Sequence, residues 1–176
     1  MKTKKTRVVQ NLGNDHQFVE GLDAKKKDAI STKFAEGTVK TKNVAFYSFL
    51  TKNLHEPSTN HVMVYDNVVT NIGWHYNRYT GVFTAPQSGT YVFTFTVYCY
   101  PGSGVSLHLV ANSQIFDGVL CNAQGADWHR SASSTAVKQI NQGDTIFIRT
   151  HHNIATVGDI RSYDNARTCF AGWVLF

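Results

Sequence analysis

From Val44 onward the apolar positions fall in short alternating runs separated by turn residues. The stretch GTYVFTFTVYCY, Gly89 to Tyr100, shows the pattern most clearly. Tyr91, Phe93 and Phe95 share one parity, while Thr94, Thr96 and Tyr98 share the other. Successive side chains of an extended chain point to opposite sides, so this alternation predicts a β-strand with one buried face. VAFYSFL, HVMVYD, VFTAP, VSLHLVA, STAVKQI, DTIFIRT and CFAGWVLF read the same way, and EPSTN, YNRYTG, PQSG, YPGSG and NQGD divide them. Many short strands punctuated by Gly, Pro and Asn predict an all-β sandwich or barrel. No ten-residue helical period interrupts the runs, which argues against βαβ units. The closing FAGWVLF reads as a central, buried strand.

Residues 1–42 have a different texture. They hold only two of the 22 aromatic residues and carry ten Lys and Arg against five Asp and Glu. Residues 43–176 carry seven of each sign, so the whole surplus of +5 sits in the leading segment. That division predicts a basic N-terminal arm or neck over residues 1–42 and a neutral globular domain over 43–176. A neutral, aromatic domain is a poor general nucleic-acid binder, because that affinity comes mainly from neutralised phosphates. The start is basic, but VVQNLGNDHQF is too broken for a signal-peptide core. No run of eighteen apolar residues occurs, so no membrane-spanning helix is expected.

Catalytic patterns are absent from the sequence. No Ser sits in a GxSxG elbow and no carboxylate pair stands out, so the chain reads as non-enzymatic. Cys99, Cys121 and Cys169 are odd in number, lack zinc spacing, and read as inert thiols buried in strands. Seven of the eight His lie in the β region. His151 and His152 are adjacent, so on a strand they would face opposite ways and could not readily chelate one ion; a solvated loop pair is the simpler reading. His108 shares parity with Ser106 and Val110, which makes it a surface or interface residue. Asp117, Asp127, Asp159 and Asp164 fall in expected loops. No cofactor is required, and calcium stays a candidate because backbone carbonyls could complete its six or more oxygens. The stretch NAQGADWHRSA is the most site-like. Asp127, Trp128, His129 and Arg130 there combine a stacking face with donors and acceptors, a mixture suited to sugars and proteins alike. With His151 and His152 they form the expected ligand-binding set.

The alternating runs also carry a signature. Tyr65, Asn71, Tyr76, Phe83, Gly89, Tyr91, Phe93 and Phe95 fall at spacings that resemble the complement C1q-domain family. Tyr65 stands where that signature has Phe, which would put a hydroxyl at the rim of the core. VAFYS is similar to the family's first strand, Gly143 and Asp144 before TIFI to its penultimate-strand entry, and FAGWVLF, with Phe170 and Gly172, to its last strand. HEPSTN and DNVVTNIGWHY are similar to the cerebellin branch and to stalkless invertebrate members. The resemblance implies a ten-stranded jelly roll like that of tumour necrosis factor, assembling as a homotrimer. It places Cys99 and Cys169 on neighbouring antiparallel strands, where a disulfide could join them. It implies a secreted recognition protein of innate immunity, binding microbial glycans or lipopolysaccharide through loops 100–104, 122–130 and 151–164. The alternative it implies is an adaptor of cerebellin or cytokine type that engages a protein receptor. With no collagen repeat in the chain, collagen-style clustering and complement activation are not expected.

Overall fold

A computed structural model describes residues 43–176; the expected arm over residues 1–42 lies outside the described residues. Twelve strands form: β1 (Ala45–Phe49), β2 (Leu54–His55), β3 (Asn67–Ile72), β4 (Tyr76–Asn77), β5 (Val82–Thr84), β6 (Gly89–Cys99), β7 (Gly104–Ala111), β8 (Gln114–Asn122), β9 (Arg130–Ile140), β10 (Thr145–Thr150), β11 (Asp159–Arg161) and β12 (Cys169–Val174). β2 and β4 are two-residue pieces, so the count roughly fits the ten strands expected.

Every pairing is antiparallel. β6 is the spine of a seven-stranded sheet. One edge pairs with β9 over its whole length, from Gly89 opposite Ile140 to Cys99 opposite Arg130. The other edge pairs first with β12 and then with β11. Beyond β12 lie β1 and then β3, while β2 flanks β11. The second sheet has the order β4-β5-β10-β7-β8. The expected central position of the last strand therefore holds for Cys169–Val174. Leu175 and Phe176 beyond it are exposed.

The core lies between the sheets, and the β6 alternation builds it. Tyr91, Phe93, Phe95, Val97 and Cys99 are buried, and the Thr94–Tyr98 parity faces out. Burying one such aromatic contributes about 1.5–3 kcal/mol. Phe46 stacks on Tyr76 at 4.9 Å and on Phe83 at 5.0 Å, and meets Phe170 edge-on at 4.9 Å. Gly172 makes this packing fit: a Cβ there would lie 2.6 Å from Phe93 and 2.7 Å from Phe46. Asn71 clamps both backbone groups of Tyr76, donating from Nδ2 to its carbonyl and accepting its N–H at Oδ1.

Three expectations need correction. HVMVYD is not a strand; it makes one bridge, Val62 to Arg149, because it crosses between the sheets. Its His61 and Met63 bond to β10 at Thr150 and Ile148, while Tyr65 reaches Ser48 of β1. Tyr65 is not at the rim of the core either: it is 0% exposed, and its hydroxyl is enclosed without a hydrogen-bond partner. Finally, Cys99 pairs with Cys121, Cα atoms 6.2 Å apart, and Cys169 is free. Cys169 sits opposite Thr96 and shares the outward parity, whereas Cys99 points inward, so the two cannot meet. The bond that does form ties the end of β6 in one sheet to β8 in the other.

Candidate functional site

Chain reversals bring the three expected loops to one end of the sandwich. The 100–103 turn receives the 123–129 loop through Gly102 N–H to the Ala123 carbonyl and Ala123 N–H to the Ser103 carbonyl, both 2.8 Å. Gly104 and Val157 exchange N–H and carbonyl at 2.9 Å each way, which docks the segment after β10 against the same turn. Tyr100 N–H reaches Asp159, and Asp159 N–H reaches the Ser103 hydroxyl. Gly158, at φ +69°, leaves no room for a side chain beside Ser103, so this junction requires glycine. The Cys99–Cys121 bond anchors the platform from below.

On this platform Trp128 is 78% exposed. Asp127 and Arg130 are exposed beside it, although Arg130 is already the first residue of β9. His129 turns inward, its ring 5.2 Å from Tyr100 and 6.1 Å from Tyr163. The Arg161 guanidinium lies 4.1 Å over the Tyr100 ring, within the range of cation–π attraction. Sequence reasoning singled out the 127–130 quartet but not Tyr100, Arg161 and Tyr163, which come from the expected contact segments 100–104 and 151–164, Arg161 as the last residue of β11. An exposed indole beside a tyrosine face, guanidinium groups and a carboxylate can stack on apolar C–H faces and bond hydroxyls around them.

His151 and His152 build a second cluster, and His108 joins them. β10 ends at Thr150, whose hydroxyl donates to the Ser58 carbonyl and accepts His61 N–H. Past that anchor the chain leaves the pleat, so the two rings no longer face opposite ways. They stack at 4.6 Å and 14°. His108, outward-facing on β7, lies 4.4 Å from the His151 ring and 5.8 Å from that of His152. Burial, then the neighbouring His151 and His152, then Arg149, lowers the His108 pKa below the usual imidazole value. The solvated-pair reading thus gives way to a three-ring cluster.

Three of the four candidate carboxylates are engaged elsewhere. Asp117 lies in β8 and Asp159 opens β11, neither in the loop expected; Asp117 accepts from Ser134 and the Gly118 N–H. Asp159 holds His55 at 2.5 Å and Asp164 holds Arg167 at 2.5 Å. Among the described residues, the group of three metal-ligating side chains that converges is the histidine set, not a carboxylate set.

A family model described as "C1q domain" matches residues 45–175, the whole of this sandwich. The chain belongs to the C1q domain family. This C1q domain is 31% identical over 134 residues to Caprin-2 of Danio rerio, across 76% of this chain and 14% of that protein. It is 31% identical over 124 residues to complement C1q tumor necrosis factor-related protein 3 of Mus musculus, across 69% of this chain and 48% of that protein. The chain thus spans less than half the length of these curated relatives. Among solved structures, the globular domain of zebrafish complement 1qA protein superposes with a TM-score of 0.60 at 16% identity, covering 76% of this chain and 98% of that one. Murine APRIL does so at 0.58 and 14%, covering 76% of this chain and 100% of that one. Both likenesses are of fold.

Proposed function

We propose that this C1q domain is a non-enzymatic, secreted recognition module that assembles as a homotrimer and binds microbial surface glycans or lipopolysaccharide through the Trp128 end. The observation that carries the reading is the solvent-facing indole on a hydrogen-bonded, disulfide-anchored platform. Apolar surface of that size costs free energy in water and gains it back when a ligand covers it. Three such ends on one rigid trimer would grip a repetitive polysaccharide by avidity. The Cys99–Cys121 bond supports an oxidising compartment. Among the described residues no helix is long and apolar enough to cross a membrane.

The test is a microbial glycan array probed with the wild-type chain and Trp128→Ala. Binding that falls at least tenfold in the variant supports the reading, and the absence of any glycan binding by the wild type defeats it. A second reading, docking to a protein receptor, is favoured by another patch. Trp74 (88% exposed) in the β3–β4 turn and Tyr79 (82% exposed) in the β4–β5 turn add to exposed Val69 and Ile72 of β3. Saturable, sugar-insensitive binding lost in Trp74→Ala but kept in Trp128→Ala would select that alternative.

A further inference from the structure

We infer that His108, His151 and His152 form a binding site for a borderline divalent transition-metal ion, zinc foremost. One nitrogen from each ring can be chosen so that all three lie within 4.8 Å of one another. Tetrahedral zinc with nitrogen ligands at 2.0–2.1 Å needs nitrogens about 3.3 Å apart. Closing the remaining gap takes a swing of the exposed His152 ring and a small adjustment of its partners. The donor set fixes the class of ion. Three imidazoles without a carboxylate suit zinc, copper or nickel, whereas calcium and magnesium want oxygens.

The local structure favours such a use. Gly118 on β8 leaves the space that the His108 ring occupies, since a Cβ there would lie 3.1 Å from His108 Cδ2. His108 Nδ1 is enclosed and has no hydrogen-bond partner, so its bonding capacity is unspent. Arg149, opposite His108 on β10, is the nearby cation, and its Nη1 donates to Asn60 Oδ1 at 2.6 Å, outside the cluster. Three protein ligands leave a fourth position for water or for a donor from a bound partner.

His151 gives the site a distinctive readout. Its Nδ1 accepts the N–H groups of Asn153 and Ile154, both at 3.0 Å. A neutral imidazole has one lone-pair nitrogen. If Nδ1 ligates the metal, the lone pair is taken; if Nε2 ligates, Nδ1 carries the proton. Either way both amides lose their acceptor, and the segment leading to the Val157–Gly104 junction must readjust.

The experiment is zinc titration of the chelator-treated full chain by calorimetry, with amide spectra recorded in parallel. This inference does not rest on the glycan reading, and the titration contains no sugar. The expected result is one zinc per chain at neutral pH, with calcium unable to compete. His108→Ala and His152→Ala should each weaken binding by roughly 10–100-fold, at least the loss typical of a perturbed ligand environment. The His152 ring is exposed, so its removal leaves the fold intact and keeps the test decisive if His108→Ala unfolds. The amide signals of Asn153 and Ile154 should shift on zinc addition. No saturable zinc uptake, uptake unchanged in His152→Ala, or unmoved Asn153 and Ile154 signals would each overturn the assignment.

Discussion

Removing the Tyr65 hydroxyl should stabilise the domain. The ring is wholly buried, 5.8 Å from Phe170, and its hydroxyl is enclosed without a partner. Burial pushes its pKa well above the usual phenol value. The residue's backbone is well served: its carbonyl accepts from the Ser48 hydroxyl at 2.5 Å and the Tyr76 hydroxyl at 3.1 Å, and its N–H donates to the Tyr76 hydroxyl at 3.2 Å. None of these bonds involves the Tyr65 side chain. An enclosed hydroxyl without a partner costs about 1–3 kcal/mol. Deleting one oxygen leaves a small void, which takes back roughly 0.5–1 kcal/mol. Tyr65→Phe should therefore gain about 1 kcal/mol, or roughly 3–5 °C in Tm for a domain of this size. Tyr76→Phe is the opposite control, because it removes the partner of the Tyr65 N–H and one of the two donors to its carbonyl and should lose about 1–3 kcal/mol. Urea unfolding of both variants reads the effect as a midpoint shift at constant slope. A Tyr65→Phe variant less stable than wild type by 1 kcal/mol or more would refute the reasoning, since it would mean that the hydroxyl is bonded after all.

The remaining predictions address the core, the cross-link and one surface ion pair. Gly172→Ala forces a methyl into Phe93 and Phe46 and should cost about 1–3 kcal/mol by calorimetry; an unchanged Tm would mean the rings give way freely. Cys99→Ser with Cys121→Ser opens a loop of sequence separation 22 and should cost about 3 kcal/mol, seen as a lower urea midpoint. His55 Nδ1 donates to Asp159 Oδ1 across β2 and β11, a contact that raises its pKa above the ordinary imidazole value. The stabilisation from this pair is fully present below the unfolded value and is lost as pH rises through the folded one. An imidazole titration by NMR should place His55 above a free histidine and return it to the ordinary value in Asp159→Asn.

Much of the fold is legible from parity alone. Tyr91, Phe93 and Phe95 mark the inner face of β6 because alternation is a property of the chain itself, independent of its partners. The same parity argues against joining Cys99 to Cys169, a point that the expected pairing overlooked: one shares the phase of Phe95 and Val97, the other the phase opposite to Phe170. Pairing Cys99 with Cys121 could not be read in this way, since it depends on how one sheet lies over the other. β8 escaped notice because Asp117 and Gly118 break its apolar rhythm. A Cβ at that glycine would crowd the Leu107 carbonyl and the His108 ring of the adjacent strand, which its own stretch of sequence does not show. The histidine cluster is hidden for the same reason. His108 and His151 meet because β7 pairs with β10, a contact between positions far apart in sequence that no local pattern announces. The quartet at 127–130 was visible as a composition, but Tyr100, Arg161 and Tyr163 entered it through backbone bonds between loops.

The placement of β12 between β1 and β6 bears on how this chain is made. Phe49 finds its neighbour Cys169 about 120 residues later in the chain. Until that segment arrives, Phe46 of β1 and Phe93 of β6 lack Phe170, the ring that packs against both. A growing chain therefore leaves part of this core uncovered until β12 has been made, and closure waits on long-range encounter rather than local zippering. Truncation just short of residue 169 should yield not a smaller stable domain but a species dependent on chaperones.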